Sequence, residues 1–222
     1  MEATPYILNE FKAFTLNSSI DEIQAFFNET TYTHFPILKN KETKQLLGLI
    51  AKDDLIDLEN TNKEIGNHQY LFNLFYASDT LSLVEIIAIF SSNYSNVIPV
   101  INHKKEYLGY YDLLDILQIY NQTPFLSTEG VVLLIEKEII DYSFSEICQI
   151  IESNGAKMLG VFVFEISPAT AKIMVKFSTM DVNEIIQSFR RYNYNIITNH
   201  KEDAFLEELI DRTNYLQKYL NI

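Results

Sequence analysis

Asp112 and Asp115, three positions apart, have a spacing that could place two carboxylates at one site. At the start of a helix this spacing puts the carboxylates about one turn apart. Two carboxylates without further oxygen ligands bind Mg²⁺ weakly, so we expect no metal there. Their combined charge would repel a polyphosphate, which favours a neutral or cationic ligand.

The other reactive residue types do not form a catalytic set. The four histidines lack the HxH or HxxxH spacing of zinc ligands, and Cys148, the only cysteine, falls in an apolar helical pattern. The sequence contains no P-loop, no Gly-x-Ser-x-Gly motif and no pairing of cysteine with histidine. We therefore expect no catalytic residue, no required cofactor and no enzymatic activity.

Charge and composition exclude several classes of partner. The net charge is −13, and this acidic balance lacks the basic field that nucleic acids and anionic membranes attract. No 18-residue apolar run and no signal peptide are present, and a single cysteine excludes an internal disulfide. These features predict a cytoplasmic protein.

The acidic pair belongs to a pattern that occurs twice. An apolar strand around Pro36 or Pro99 is followed by a strand containing Gly48 or Gly109 and then by a helix start. The prolines are 63 residues apart and the glycines 61, which indicates two copies of one supersecondary unit. Two such halves usually leave a cleft between them, where ligands bind.

Local signals place the elements of each copy. Ser19 and Ser82 are each followed three residues later by glutamate, a capping box that predicts a helix start. Each proline removes an amide donor, so we expect it at a strand start or a sheet edge. We assign residues 5–60 to repeat 1 and residues 61–122 to repeat 2.

A third unit follows at residues 128–199. Its pattern predicts the order βαββαβ of a ferredoxin-like arrangement, with helices capped at Ser143 and near Asp181. Residues 201–220 predict an amphipathic helix, which either packs on its own chain or pairs with a second chain. The predicted fold class is therefore α/β (α+β).

The doubled unit, with Gly-x-x-x-x-x-Asp at its strand-to-helix turn, resembles the cystathionine-β-synthase (CBS) domain pair, or Bateman module, over about residues 5–122. By topology, residues 130–198 resemble an ACT-like domain. A CBS pair followed by such a domain is similar to CBS proteins of the acetoin-utilisation regulator type.

The resemblance implies an adenosine-type ligand (AMP, adenosine or S-adenosylmethionine) in the cleft between the copies. In the family motif Gly-h-h-Thr-x-x-Asp, where h is apolar, the glycine lets backbone approach the ligand and the aspartate accepts hydrogen bonds from the ribose. The matching residues are Gly48 and Asp54 in repeat 1 and Gly109 and Asp115 in repeat 2. Alternatively, these aspartates only start helices and these glycines only permit close strand packing.

This chain departs from the motif at the threonine position, which holds Ala51 in repeat 1 and Asp112 in repeat 2. The loss of a hydroxyl and the gain of an anion disfavour ATP, so adenosine or a sulfonium nucleoside would fit best. One of the adjacent tyrosines, Tyr110 or Tyr111, should face the cleft, and we include Tyr111 in the ligand set.

Two functions follow from the resemblance. In the first, the CBS pair senses an adenosine-type metabolite and signals through domain or subunit contacts. In the second, both domains form a ligand-free dimerisation or assembly module with degenerate nucleotide sites. The loop after the first strand of the ACT-like unit, residues 137–142, lacks the glycine often used for amino-acid binding, which favours homodimer contacts there.

Overall fold

The computed structural model describes residues 3–10, 13–56, 58, 63–179 and 181–198. The chain divides into two units, Met1–Tyr120 and Asn121–Ile222, and each combines helices with a β-sheet. The predicted mixed α/β fold class is therefore confirmed. The helix predicted at residues 201–220 lies outside the described residues.

The first unit consists of two repeats with the same order of elements. Repeat 1 contains β1 (Phe14–Thr15), α1 (Ile20–Glu29), β2 (His34–Leu38), β3 (Leu46–Ala51) and α2 (Lys52–Ile56). Repeat 2 contains β4 (Ala77–Ser78), α3 (Leu83–Asn93), β5 (Val97–Ile101), β6 (Tyr107–Asp112) and α4 (Leu113–Asn121). A short 3-10 turn precedes each repeat, at Thr4–Tyr6 and at Ile65–Leu71.

Each repeat forms a three-stranded sheet, in the order β1-β2-β3 or β4-β5-β6. Pro36 pairs with a residue of β3 and Pro99 with a residue of β6, so both prolines lie within central strands. The predicted strand start or sheet edge was wrong. The missing amide is tolerated because β1 and β4 pair only with residues that follow each proline, from Ile37 and Val100 onward.

The helix starts use the predicted serines. At α3, Ser82 Oγ accepts a hydrogen bond from the Glu85 amide at 3.4 Å, and Glu85 Oε2 accepts one from the Ser82 amide at 2.8 Å. At α1, Ser19 Oγ accepts from the Glu22 amide at 3.2 Å. These bonds satisfy amides that have no partner within the helix, so they fix where α1 and α3 begin.

In each repeat, the segment that leads into the first strand pairs with the sheet of the other repeat. Leu8, which precedes β1 of repeat 1, pairs with Tyr110 in β6 of repeat 2 through backbone N···O distances of 2.8 and 2.9 Å. Asn73, which precedes β4 of repeat 2, pairs with Leu49 in β3 of repeat 1 through distances of 2.8 and 2.9 Å. Each leading segment therefore attaches the repeat that follows it to the sheet of the other repeat.

The second unit contains α5 (Pro124–Ser127), β7 (Val131–Glu138), α6 (Phe144–Ser153), β8 (Lys157–Ile166), β9 (Thr170–Ser178), α7 (Asn183–Arg191) and β10 (Asn195–Ile196). From β7 onward the order is βαββαβ, as predicted. The strands form one antiparallel sheet in the order β10-β7-β9-β8. Both α6 and α7 contribute buried residues to a single core with that sheet.

The start of α7 differs from the prediction. Val182, rather than Asp181, occupies the N-cap position, and no side-chain cap bond is made there. Asp181 Oδ1 instead accepts a hydrogen bond from the Asn183 amide at 2.9 Å. The carboxylate therefore still satisfies an early amide of α7, from one position further out.

Candidate functional site

The two repeats meet at equivalent residues, Thr33 before β2 and Asn96 before β5. Asn96 Oδ1 accepts hydrogen bonds from the Thr33 amide at 2.8 Å and the Thr33 hydroxyl at 3.0 Å. Thr33 Oγ1 in turn accepts from the Asn96 amide at 3.2 Å, and Asn96 Nδ2 donates to Thr31 O at 2.9 Å. Because these positions are 63 residues apart, the internal period of the sequence, the bonds mark the pseudo-twofold axis between the repeats.

Beside this axis, repeat 1 places His34 near the predicted ligand residue Asp54. Ala51 ends β3, and Asp54 lies half-buried in the first turn of α2. The His34 ring contacts the ring of Phe75 edge to face, with a centroid distance of 5.6 Å. Phe75 belongs to the segment that leads into repeat 2, so residues of both repeats meet on this side.

The His34 imidazole is held neutral by its surroundings. Burial lowers the pKa of His34 below its ordinary value of 6.5, and the carboxylates of Asp54 and Asp53 oppose that shift only in part. Thr33 Oγ1 lies 2.9 Å from His34 Nδ1 and fixes the ring. Because the Thr33 hydroxyl already donates to Asn96 Oδ1, Nδ1 of the neutral ring donates to Thr33 Oγ1, which leaves Nε2 as a hydrogen-bond acceptor.

On the equivalent side of repeat 2, Asp112 caps a helix. Its Oδ1 accepts hydrogen bonds from the amides of Leu114 at 2.7 Å and Asp115 at 3.3 Å, at the start of α4. One carboxylate oxygen of Asp112 is therefore committed to the backbone. The aspartate that serves this helix start is Asp112, whereas the sequence suggested that role for Asp54 and Asp115.

Tyr32 and Tyr110 occupy the space beside Asp112. Their rings meet edge to face at a centroid distance of 5.9 Å, and their hydroxyl oxygens are 3.4 Å apart. Burial raises the pKa of Tyr32, the Tyr110 hydroxyl offsets part of that shift, and the Asp112 carboxylate adds to it. Two phenol side chains and a carboxylate therefore form a packed cluster on the repeat 2 side.

The positions related to Tyr32 and Asp112 by the repeat carry small residues, one in each repeat. Ser95 stands 63 positions after Tyr32, and Ala51 stands 61 positions before Asp112. The Ser95 side chain is buried, and its hydroxyl donates to Val97 O at 2.6 Å. The two candidate sites are thus unequal, because bulky and acidic groups stand in one where small groups stand in the other.

The motif glycines face the leading segments of the chain itself. A Cβ atom at Gly109 would lie 2.2 Å from Leu8 O and 2.6 Å from Ile7 Cγ2. A Cβ atom at Gly48 would lie 3.0 Å from Phe72 Cβ and 3.2 Å from Asn73 O. These contacts support the alternative in which the glycines permit close backbone packing.

Tyr111 lies in the core of repeat 2. Its side chain is fully buried within that hydrophobic cluster, and its hydroxyl has no hydrogen-bond partner among the described residues. The neighbouring Tyr110 packs in the core of repeat 1 and reaches Tyr32. Of the two adjacent tyrosines, Tyr110 is therefore the one that lies between the repeats.

Four cavities lined by described residues contain none of the seven residues that the sequence suggested for the ligand.

Across the described ranges, no three His, Cys, Asp or Glu side chains are grouped so that they could hold a metal ion. Within those ranges no helix is both long enough and apolar enough to cross a membrane.

Sequence reasoning missed His34, Phe75 and Tyr32 as parts of these sites. The spacing of the histidines argues against zinc and favours surface or cap positions, and the phenylalanines and tyrosines are interpreted from the sequence mainly as core residues. Position in the sequence could have identified two of them, His34 and Tyr32, because these residues flank Thr33 at the start of the repeated proline strand. In both repeats, that strand begins next to the axis.

A family model described as the CBS domain matches residues 70–121. This range covers repeat 2, so the predicted resemblance to CBS domains is confirmed for that part of the chain. No curated protein sequence matches the chain.

Solved structures similar to this chain include CBS domain pairs. A CBS domain pair/ACT domain protein from Thermotoga maritima is 17% identical, with the match covering 54% of this chain and 96% of that chain at a TM-score of 0.48. CBSX2 in complex with AMP is 14% identical, with coverage of 55% and 96% and a TM-score of 0.46. The CBS domains of a transcriptional regulator from Streptococcus pneumoniae are 12% identical, with coverage of 53% and 98% and a TM-score of 0.46. These likenesses concern the fold alone.

Proposed function

We propose that the first unit is a cytoplasmic regulatory module, not a catalytic one, and that it binds one adenosine-type ligand beside Asp54. The match of residues 70–121 to the CBS domain supports a regulatory role, because CBS domain pairs generally act as regulatory modules, and one of the similar structures, CBSX2, is in complex with AMP. We choose the site beside Asp54 because the two candidate sites differ. In that site, Ala51 and Ser95 occupy the positions that Asp112 and Tyr32 occupy in the other site.

The chemistry beside Asp54 suits a nucleoside. The two carboxylate oxygens can accept hydrogen bonds from the two ribose hydroxyls, and Phe75 offers an aromatic surface near a neutral His34. Asp53 and Asp54 are adjacent anions, so each added phosphate weakens binding. We expect adenosine or S-adenosylmethionine to bind most tightly, AMP more weakly and ATP weakest.

The proposed mechanism is a population shift between arrangements of the two repeats. Asp54 belongs to repeat 1 and Phe75 to the segment that leads into repeat 2, so one ligand would contact both. A ligand can stabilise one arrangement only by its difference in affinity for the two arrangements. The second unit, which we propose to be ACT-like, would transmit that state to a partner or a second copy.

Isothermal titration calorimetry with adenosine, S-adenosylmethionine, AMP and ATP tests this proposal. Asp54→Ala should remove binding, since it deletes both ribose acceptors. The matched control is Asp53→Ala, which removes the same negative charge from an exposed neighbouring residue. It should leave nucleoside binding intact. Asp115→Ala should have little effect. Unchanged binding in Asp54→Ala, or loss only in Asp115→Ala, would contradict the assignment.

The second candidate function is a ligand-free assembly module. It is favoured by the close packing of Gly48 and Gly109 against the chain, with Leu8 O only 2.2 Å from a Cβ built at Gly109. In this case none of the four compounds would bind at millimolar concentration. Light scattering after size exclusion would then show a homodimer whose mass does not depend on adenosine.

A further inference from the structure

A cavity of about 320 Å³ in the first unit shares no residue with the proposed adenosine site. Three parts of the chain meet around it: the segment that leads into repeat 1, the turn between β2 and β3, and the start of β6. The lining residues that matter here are Asn9, Leu38, Lys41, Lys44, Tyr107 and Leu108. Both repeats contribute to it, so the cavity exists only where the two are paired.

Backbone hydrogen bonds fix the walls of this cavity. The Tyr107 amide donates to Lys44 O at 2.9 Å, which attaches the turn of repeat 1 to the first residue of β6. Gln45 and Glu106, 61 positions apart, form an antiparallel bridge at the same place. The leading segment is held by the paired backbones of Leu8 and Tyr110. The cavity is therefore part of a connected framework.

Tyr107 lines the cavity without offering it a polar group. The residue is only 6% exposed, and its hydroxyl oxygen is shielded from solvent and has no hydrogen-bond partner among the described residues. Burial raises the pKa of Tyr107, so the phenol is protonated at neutral pH. Tyr107 therefore contributes apolar contact from its ring.

Two leucines form the apolar part of the cavity lining, and two lysines lie at its edge. Leu38 is buried and Leu108 partly exposed, whereas Lys41 and Lys44 are exposed on the turn. The nearby carboxylate of Glu106 is held by Asn102 Nδ2 at 2.8 Å, within its own turn. Two cations thus border an apolar cavity in a chain whose net charge is −13.

We propose that this cavity binds a small organic anion with an apolar body. The body lies against Leu38 and the ring of Tyr107, and the anionic group lies between Lys41 and Lys44. A molecule held this way touches both repeats. It would therefore act on their arrangement independently of any nucleoside.

The probe for this site is 2-naphthoate, compared with its neutral analogue 2-naphthalenemethanol. Binding is followed by fluorescence titration and by amide chemical shifts in two-dimensional NMR of the full chain. Typical binding efficiency for a ligand of this size predicts a Kd of about 1 mM for 2-naphthoate. The neutral analogue should bind about tenfold more weakly, and the largest shifts should fall at Lys44, Tyr107 and Leu108.

Two sets of variants test the contacts. Tyr107→Phe keeps the ring and removes only the shielded hydroxyl, so it should leave the affinity for 2-naphthoate unchanged. The double variant Lys41→Gln/Lys44→Gln should bring the affinity close to that of the neutral analogue. Its matched control is Lys104→Gln/Lys105→Gln, which removes the equivalent exposed lysines of repeat 2 and should change nothing.

The proposal is overturned if 2-naphthoate and its neutral analogue bind equally, or if neither binds at about 5 mM. It is also overturned if both lysine double variants have the same effect, since this would indicate general charge attraction. Adenosine titrations of the same variants should be unaffected. A failure at this cavity is therefore distinguishable from a failure of the adenosine site.

Discussion

Replacing Gly109 with alanine should detach the leading segment from β6. The added Cβ would lie 2.2 Å from Leu8 O and 2.6 Å from Ile7 Cγ2, and the first of these is a backbone atom that cannot rotate away. The segment must move, and its two backbone hydrogen bonds between Leu8 and Tyr110, at 2.8 and 2.9 Å, are lost.

The expected cost follows from those contacts. Two backbone hydrogen bonds at about 1 kcal/mol each, with the apolar contacts of Ile7, predict a loss of about 2 to 3 kcal/mol. Gly48→Ala is the matched control, because Gly48 has the same φ of 158° at the equivalent position of repeat 1. Its nearest contacts, 3.0 and 3.2 Å, require only a small shift and predict a packing cost of about 1 kcal/mol, in addition to the strain of a side chain at this φ that both variants share.

Urea unfolding followed by circular dichroism gives the change in the free energy of unfolding, and amide hydrogen exchange locates it. Gly109→Ala should greatly accelerate exchange at the amides of Leu8 and Tyr110. Exchange at the Leu49 and Asn73 amides should remain slow. Equal losses of stability in the two glycine variants, or unchanged protection at Leu8, would refute the reasoning.

Three further predictions concern the junction between the repeats. Asn96→Ala should lower the free energy of unfolding by about 1 to 3 kcal/mol in urea titrations, because the Thr33 amide and hydroxyl lose their shared acceptor. Asp112→Ala should cost about 1 kcal/mol by the same measurement, whereas Asp112→Asn, which can still cap α4, should retain most of that stability. Burial lowers the pKa of His34 from 6.5, so the unfolded chain binds more protons, and stability should fall as pH drops through 6.5 toward the lower folded value. Melting temperatures between pH 7 and pH 5 should show this dependence, and His34→Gln should reduce it.

Local sequence signals predicted most of the elements. The capping pair Ser82 and Glu85 needs only residues three positions apart, and both partners lie on one turn of α3. The sequence also predicts strands at Lys157–Ile166 and Thr170–Ser178, and these are the bounds of β8 and β9. The repeat could be predicted because equivalent residues are a constant number of positions apart in the sequence, which folding does not alter.

The position of the prolines could not be predicted from local signals. The rule that places proline at an edge concerns one amide, and it does not say how far a neighbouring strand extends. Because β1 is only two residues long and begins pairing at Ile37, Pro36 fits within a central strand. The length of β1 depends on what else covers β2, which is a tertiary property.

The sequence by itself determined that two copies of one unit exist, where their helices begin, and which residues hold the motif positions. Only the tertiary structure decided that the leading segments cross over, so that Leu8 meets Tyr110, and that Tyr32 lies beside Asp112. The physical reason is distance along the chain. Spacing of a few residues fixes local geometry, whereas contacts between residues about 80 or 100 positions apart depend on how whole surfaces pack.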